Sequence, residues 1–367
     1  MRPLPLRLIV ALQIAGMAAG WPVVLDAVGP GSPQAGAAAA PQAVVAPGAP
    51  SLPFPEWLAQ LRKDALEKGI SARTVGLALS DVEQIPVVVQ RDRTQAERTL
   101  SLDQYLKRRL GRKTVSTARE MAKRHASLLA KISAQYNVPS GIIVAIWGLE
   151  SNFGRFSGVR PTIASLATLA YDNRRAAMFR DELFNALRIL DRGDIDLARM
   201  KGSWAGAMGQ PQFMPSSYLE FAEDFDRDGK RDIWGTPADV FASIANYLKQ
   251  HGWTAGRGWG RAVKLPKGAD GKIAAALSPR GAGCEAVRQM SEAASLARWH
   301  ALGVRPAAGR PLPKSDVTAS LVRAGSRSFL VFDNYGVLLQ YNCAHAYALA
   351  VALLADQIPA ARPPKKD

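Results

Sequence analysis

The sequence predicts an α+β protein that is predominantly α, and three observations carry that prediction. Apolar residues recur at helical spacing from position 54 to about 250. After Gly252 the texture turns to glycine, proline and short apolar runs, which marks a small β-rich module. A helical stripe then returns at Tyr347, Val351 and Leu354. The chain has 367 residues, 48% hydrophobic and 21% charged, enough for a large core and for two or three domains. That composition excludes a disordered, collagen-like or polytopic membrane protein. Its four histidines and two cysteines have neither zinc nor CxxC spacing.

The elements follow in order. Residues 1–7 hold two arginines and no acid, and an apolar run over 8–20 follows, so 1–22 reads as a cleaved secretory signal. The run is short of the roughly 20 residues a spanning helix needs. Membrane contact is therefore expected only if the signal is retained, and without a following cysteine no lipid anchor is expected. Residues 23–53, rich in proline, alanine and glycine, read as a tether. A helical domain over 54–136 starts with Trp57, Leu58, Leu61 and Ala65 on one face. Thr117 and Glu120 form a capping box that opens a helix through Met121, Leu128, Ile132 and Tyr136. Asn137-Val138-Pro139 ends it, and a very apolar helix over 141–150 follows. Another amphipathic helix covers 176–190. Ser217 and Glu220 make a second capping box, and Thr236-Pro237-Ala238-Asp239 starts a helix running to Gln250. Residues 259–343 form the β-rich module, with a hairpin expected between runs 329–332 and 337–339 around Asp333-Asn334-Tyr335-Gly336. The final helix, within 344–358, is expected to pack back on the helical domain.

Lys and Arg total 47 against 31 Asp and Glu, a net charge of +16. For an exported chain, with the periplasm as the expected compartment, this suits an anionic wall polymer; a merely solubilising surface is the plain alternative. The basic residues are spread along the chain, so no nucleic-acid partner is expected.

Among the acids, the surroundings single out Glu150. It ends the apolar helix, and Trp147, Ile146 and Ile143 share its face. Burial and the negative end of the helix both favour a protonated carboxyl near neutral pH, as a general acid requires. Arg155 opposes both effects if it folds back, and an exposed helix-end Glu is the alternative. Downstream, 203–218 mixes glycines, amides, hydroxyls and aromatics in the manner of a sugar site. Five of the eight tryptophans fall between positions 147 and 259.

The run Ile146-Trp147-Gly148-Leu149-Glu150-Ser151-Asn152-Phe153-Gly154-Arg155 is followed by Gly206-Ala207-Met208-Gly209 and Gln212-Phe213-Met214-Pro215-Ser216-Ser217-Tyr218. Together they resemble the lytic murein transglycosylase B family. Ala245-Asn246-Tyr247, His251-Gly252-Trp253, Tyr341-Asn342 and Tyr347 continue a resemblance that extends over about 54–358. It implies a lysozyme-like core over 137–258 and a monomer that acts on peptidoglycan glycan strands without an organic cofactor. It also implies that Glu150 is the sole acid/base, yielding a 1,6-anhydro-muramoyl end where ordinary glycosidases use two carboxylates. By motif position Ser203, Gln212, Tyr247, Asn342 and Tyr347 would line the groove, Phe213 would stack on a sugar, and Tyr105 would complete the set. Tyr105 reads equally as one buried aromatic, and Asn342 as the N-cap of the final helix. A lysozyme-type hydrolase and a non-catalytic wall-binding module remain as rival readings.

Asp224-Phe225-Asp226-Arg227-Asp228-Gly229-Lys230 matches the opening of a calcium loop. Asp224, Asp226, Asp228 and Lys230 are the expected ligand positions for a structural Ca2+ or Na+. Gly235 stands at position twelve, so a closing acid must come from elsewhere, with Asp239 or Asp232 as candidates within 224–239. Cys284 and Cys343 read either as a disulfide or as two buried thiols.

Overall fold

A computed structural model of the chain describes residues 52–94, 100–307 and 316–360. The expected signal, and the tether apart from Leu52 and Pro53, lie outside the described residues. Among those described, no single helix is long and apolar enough to cross a membrane.

Helices Phe54–Glu67, Ala72–Leu79, Pro86–Thr94 and Leu102–Arg109 form the first part, with Leu58, Leu61, Ala65 and Leu79 buried. Ser101 and Gln104 close a reciprocal capping box at the last of these. The box expected at Thr117 and Glu120 is absent. Helix Arg112–Arg124 begins six residues earlier, after Gly111, because Ala118, Met121 and Ala122 continue a buried face through the supposed cap. The chain breaks at His125, and Ala126–Tyr136 follows, ending on Asn137 in the left-handed conformation.

Helix Ser140–Ser151 is the axis of the molecule, and every residue in it except Glu150 is buried. Around it pack Arg112–Arg124, Ala126–Tyr136, Pro237–Gln250 and the final helix His345–Ala355, which also touches Leu102–Arg109. Helices Thr162–Tyr171 and Ala176–Asp191 pack side by side, and Ala176–Asp191 supports Pro215–Phe221. Ser217 and Glu220 form no capping box either. Pro215 opens that helix, and the Glu182 carboxylate caps it from outside, accepting from the Ser216 N–H at 2.9 Å and hydroxyl at 2.6 Å.

The β-rich part is a five-stranded antiparallel sheet in the order Ala294–Ser295, Thr318–Ala324, Arg327–Val331, Gly260–Lys264, Arg305–Pro306. Trp299, Val304, Leu321 and Leu330 form its own small core. The hairpin joins Thr318–Ala324 to Arg327–Val331, one strand earlier than expected, while 333–341 is the helix Asp333–Tyr341. Asn334 explains the difference. Its buried amide accepts from the Thr254 N–H and donates to the carbonyls of Thr254 and Arg257, so a locally turn-like residue closes a distant loop. Cys284 and Cys343 form a disulfide, with Cα atoms 6.3 Å apart, tying the module to the start of the final helix.

Candidate active site

Glu150 is the half-buried exception at the end of a buried helix. Burial pushes its carboxyl up to about 7, against the lowering effects of the Tyr347 hydroxyl and the Arg109 guanidinium. The sequence pointed to Arg155 as the opposing cation, but it is Arg109 that acts. Arg109 comes from Leu102–Arg109, donates to the Leu149 carbonyl and lies 5.9 Å over the Tyr105 ring. Nothing local in the sequence places position 109 beside position 150; the tertiary fold does, with helix Leu102–Arg109 held against the final helix and the Arg109 side chain reaching the Leu149 carbonyl.

The chain leaves Glu150 through a fixed turn. Asn152, Phe153 and Gly154 all have positive φ, which is costly for the first two. Ser151 holds the turn, donating to the Trp147 carbonyl at 2.9 Å and accepting from the Gly154 N–H at 3.0 Å. The Phe153 ring folds back over Gly148, where a side chain would have no room. In front of this turn lies a cavity of about 290 Å3 lined by Arg108, Arg109, Thr114, Glu150, Asn152 and Phe156, among others.

On the other side of Glu150 is an aromatic cluster. Tyr347 is fully buried and presents its hydroxyl to the Glu150 carboxyl without closing a hydrogen bond of regular geometry. Its ring stacks at 6.4 Å on Tyr341, which meets Tyr247 at 4.8 Å and Phe213 at 6.0 Å. The structure thus brings Tyr347, Tyr247 and Phe213 together through Tyr341, a residue the sequence reading did not place in the site. Phe213, expected to stack on a sugar, is 2% exposed and belongs to the floor beneath Tyr247. Tyr105 is buried against Arg109, and Glu150 raises its pKa together with burial, the larger cause. Asn342 is buried and its Oδ1 has no partner among the described residues. The N-cap of the final helix is Ala344, so Asn342 is not that cap.

Ser203 and Gln212 sit in the tight loop after Gly202. The Ser203 hydroxyl accepts from the N–H groups of Ala205 and Ala207, at 3.3 and 3.1 Å. Gln212, at φ 55°, donates through its amide to the Gly209 and Ser157 carbonyls. The neighbouring amide, Gln210, was missed. Buried, it accepts from the Trp147 indole and donates to the Trp234 carbonyl, both at 2.7 Å, pinning the loop to the helix of Glu150. Two amides flanking one proline gave no sign of which turns inward.

A second acidic site lies apart. Carboxylate oxygens of Asp224, Asp226 and Asp239 fall within 4.8 Å of one another. Two oxygens on one calcium at 2.3–2.6 Å are at most about 5 Å apart, so the trio fits a single hard cation. Asp239 is fully buried and accepts from the N–H groups of Phe225 and Asp232, both at 2.8 Å. Burial first, then the charges of Asp226 and Asp224, push its carboxyl up to about 6. Of the two candidate acids for position twelve, Asp239 is the one whose carboxylate lies beside Asp224 and Asp226. Asp232 instead caps Trp234 and Gly235. Asp228, expected as a ligand, lies outside the trio, and one of its oxygens accepts from the Lys230 N–H at 2.8 Å across the turn.

Known proteins share this architecture. The family described as Transglycosylase SLT domain matches residues 53–356. The membrane-bound lytic murein transglycosylase B of Escherichia coli (strain K12) is 35% identical over 237 residues, covering 62% of this chain and 59% of that relative. The match therefore spans less than two thirds of the relative's length. SltB3 of Pseudomonas aeruginosa, solved with NAG-anhNAM-pentapeptide, superposes with a TM-score of 0.76 at 41% identity, covering 86% of this chain and 83% of that one. The Escherichia coli lytic transglycosylase Slt35, solved with calcium, gives 0.68 at 29% identity, covering 82% and 91%.

Proposed function

The chain belongs to the transglycosylase SLT domain family, and from that premise we propose that it is a lytic transglycosylase of peptidoglycan with Glu150 as its single acid and base. The observation that carries the reading is a lone carboxyl, held near half-protonation at about 7 by burial, at the wall of a cavity with no second acid in its lining. Protonated Glu150 donates to the oxygen joining N-acetylmuramic acid to N-acetylglucosamine, and that C–O bond breaks. The resulting carboxylate meets the Tyr347 hydroxyl and the Arg109 guanidinium, both of which favour the anion. The muramoyl 6-hydroxyl attacks its own anomeric carbon and returns a proton to Glu150, so the enzyme is restored and no water is consumed. An internal nucleophile gains from proximity and makes a second carboxylate unnecessary. The anhydro sugar in the SltB3 complex supports this product. Ser203, Gln212, Tyr247, Asn342, Tyr347 and Tyr105 shape the groove, with Phe213 as its floor. Digestion of purified sacculi tests the reading. Muropeptides one water lighter than their hydrolysed counterparts are expected, and hydrolysed ends would favour the muramidase alternative.

The Asp224, Asp226 and Asp239 trio is read as the seat of a structural calcium or sodium ion, supported by the calcium complex of Slt35. The basic balance of the chain suits an anionic wall polymer, and added salt should weaken that attraction. With an N-terminal signal, the site of action is the periplasmic face of the wall, and fractionation of cells tests it.

A further inference from the structure

Two features of the Glu150 cavity have no part in the proton transfer. Phe156 is 53% exposed, and it is the single aromatic among the exposed large hydrophobic residues described. It also lines the cavity. Its backbone is anchored, since its N–H donates to the Ser151 carbonyl at 2.9 Å just beyond the left-handed turn. An exposed ring on a fixed backbone is a preformed contact surface. The second feature is Arg108. Of the two arginines lining the cavity, Arg109 is committed to the Leu149 carbonyl and the Tyr105 ring. Arg108 is exposed, makes no ion pair among the described residues, and its charge is not among those acting on Glu150. Arg112, Lys113 and Arg155 nearby are likewise exposed and without ion pairs among the described residues, and Glu150 is the only acid in the lining.

We propose that Arg108 and Phe156 form a specificity pair that reads the peptide arm carried by the muramoyl sugar. Arg108 takes a peptide carboxylate through charge-assisted hydrogen bonds, and Phe156 covers the adjoining apolar part of the arm. The inference rests on the reading of Glu150 given above, because the sugar whose anomeric carbon Glu150 serves is the one that bears the peptide. Both residues face the same cavity as the carboxyl, so an arm leaving that sugar has an uncommitted cation and an apolar ring within one compartment. Neither residue acts on the reacting atoms; they select and hold the substrate.

The test uses the full chain and two substrates, glycan strands with peptide arms and the same strands with the arms removed by an amidase. For Arg108→Gln, the ratio of kcat/KM on peptide-bearing over bare strands should fall about tenfold through KM, the worth of one charge-assisted hydrogen bond. Arg108→Lys should recover part of the ratio, and Phe156→Ala should lower it in the same direction. The limb of the pH profile near 7 should stay in place in all three, since Arg108 does not act on Glu150. In the wild type the preference for peptide-bearing strands should erode with added salt. A ratio in Arg108→Gln equal to that of the wild type, or an equal loss on both substrates, overturns the proposal. Wild-type protein that leaves no anhydro ends on either substrate overturns instead the transglycosylase reading, whatever the variants do.

Discussion

At the end of helix Ser140–Ser151 one carboxyl faces a cavity lined by two arginines, while in the 224–239 loop three carboxylates crowd one another, one of them the buried Asp239. Glu150 and Asp239 are both raised, to about 7 and about 6, and burial is the leading cause for each. In both, hydrogen-bond donors come next and favour the anion, but the nearby charges act with opposite signs. Around Glu150 a guanidinium and a hydroxyl favour the anion, so the group gives up and regains a proton near neutrality. Around Asp239 the main-chain N–H donors of Phe225 and Asp232 favour the anion, and the like charges of Asp226 and Asp224, each a smaller effect, add to burial in opposing it. Burial thus raises both carboxyls, one beside a guanidinium and one beside two like charges, and the proposed proton-transfer and cation-binding roles rest on that contrast.

The largest effect expected from this contrast is on chemistry. Glu150→Gln should lower turnover of sacculi by about 10³-fold or more while the fold persists, because an amide occupies the same volume but transfers no proton. Anhydro-muropeptides released at the wild-type rate would erase the difference between the two acidic sites.

The pH profile sharpens the comparison. The acid form of Glu150 is lost above about 7, so kcat/KM should fall up to tenfold per unit on that side. Tyr347→Phe removes a group that lowers this pKa, and the limb should move to higher pH even as the rate drops. A limb moving downward would mean that Tyr347 does not favour the anion. Stability carries the same sign: the folded carboxyl is raised above its ordinary value of 4.5, so this group's contribution declines as pH rises from there to about 7.

At the aspartate trio the ion should matter to stability more than to rate. Chelation should lower Tm by about 5 °C, as loss of a ligand present at about 100 times its Kd removes about 2.7 kcal/mol. Calorimetry with and without chelator checks this, and coincident melts would show that the trio holds no ion.

The smallest effect is the most specific. Asp226 is exposed and makes no hydrogen bond among the described residues, so in chelator Asp226→Asn removes only a like charge from Asp239. Tm should rise by about 1 °C, by the reasoning that relieving one exposed charge contact is worth a few tenths of a kcal/mol. The response to added calcium should disappear. Without the ion, wild-type stability should decline as pH rises through about 6, because the folded state holds a proton on Asp239 that the unfolded state has released. A fall in Tm for Asp226→Asn in chelator would mean that the three carboxylates do not repel.

Much of this was legible in advance wherever the physics is local. The helix read over 141–150 is observed as Ser140–Ser151, that over 176–190 as Ala176–Asp191, and Pro237 opens its helix as read. Glu150 stood out because its own helix supplies the apolar surroundings that raise it. The readings that failed are those where a local pattern was taken over by a distant partner. Thr117 and Glu120 lie inside a longer buried face, Ser216 is capped by Glu182, and Asn334 bonds to the 254–257 loop instead of turning a hairpin. Arg109, Gln210 and Tyr341 were given no role in the site for the same reason, since their partners Leu149, Trp147 and Pro211 are 40, 63 and 130 positions away.

Periodicity and end signals along the chain determined which segments are helical and which acid sits at the end of an apolar one, because each depends on residues within a turn or two. Only the packed molecule decided which cation faces that acid, which aspartate completes the loop, and which aromatic is floor and which is surface. Those outcomes depend on side chains that meet across large sequence separations, where burial and charge are set by neighbours that the linear order does not reveal.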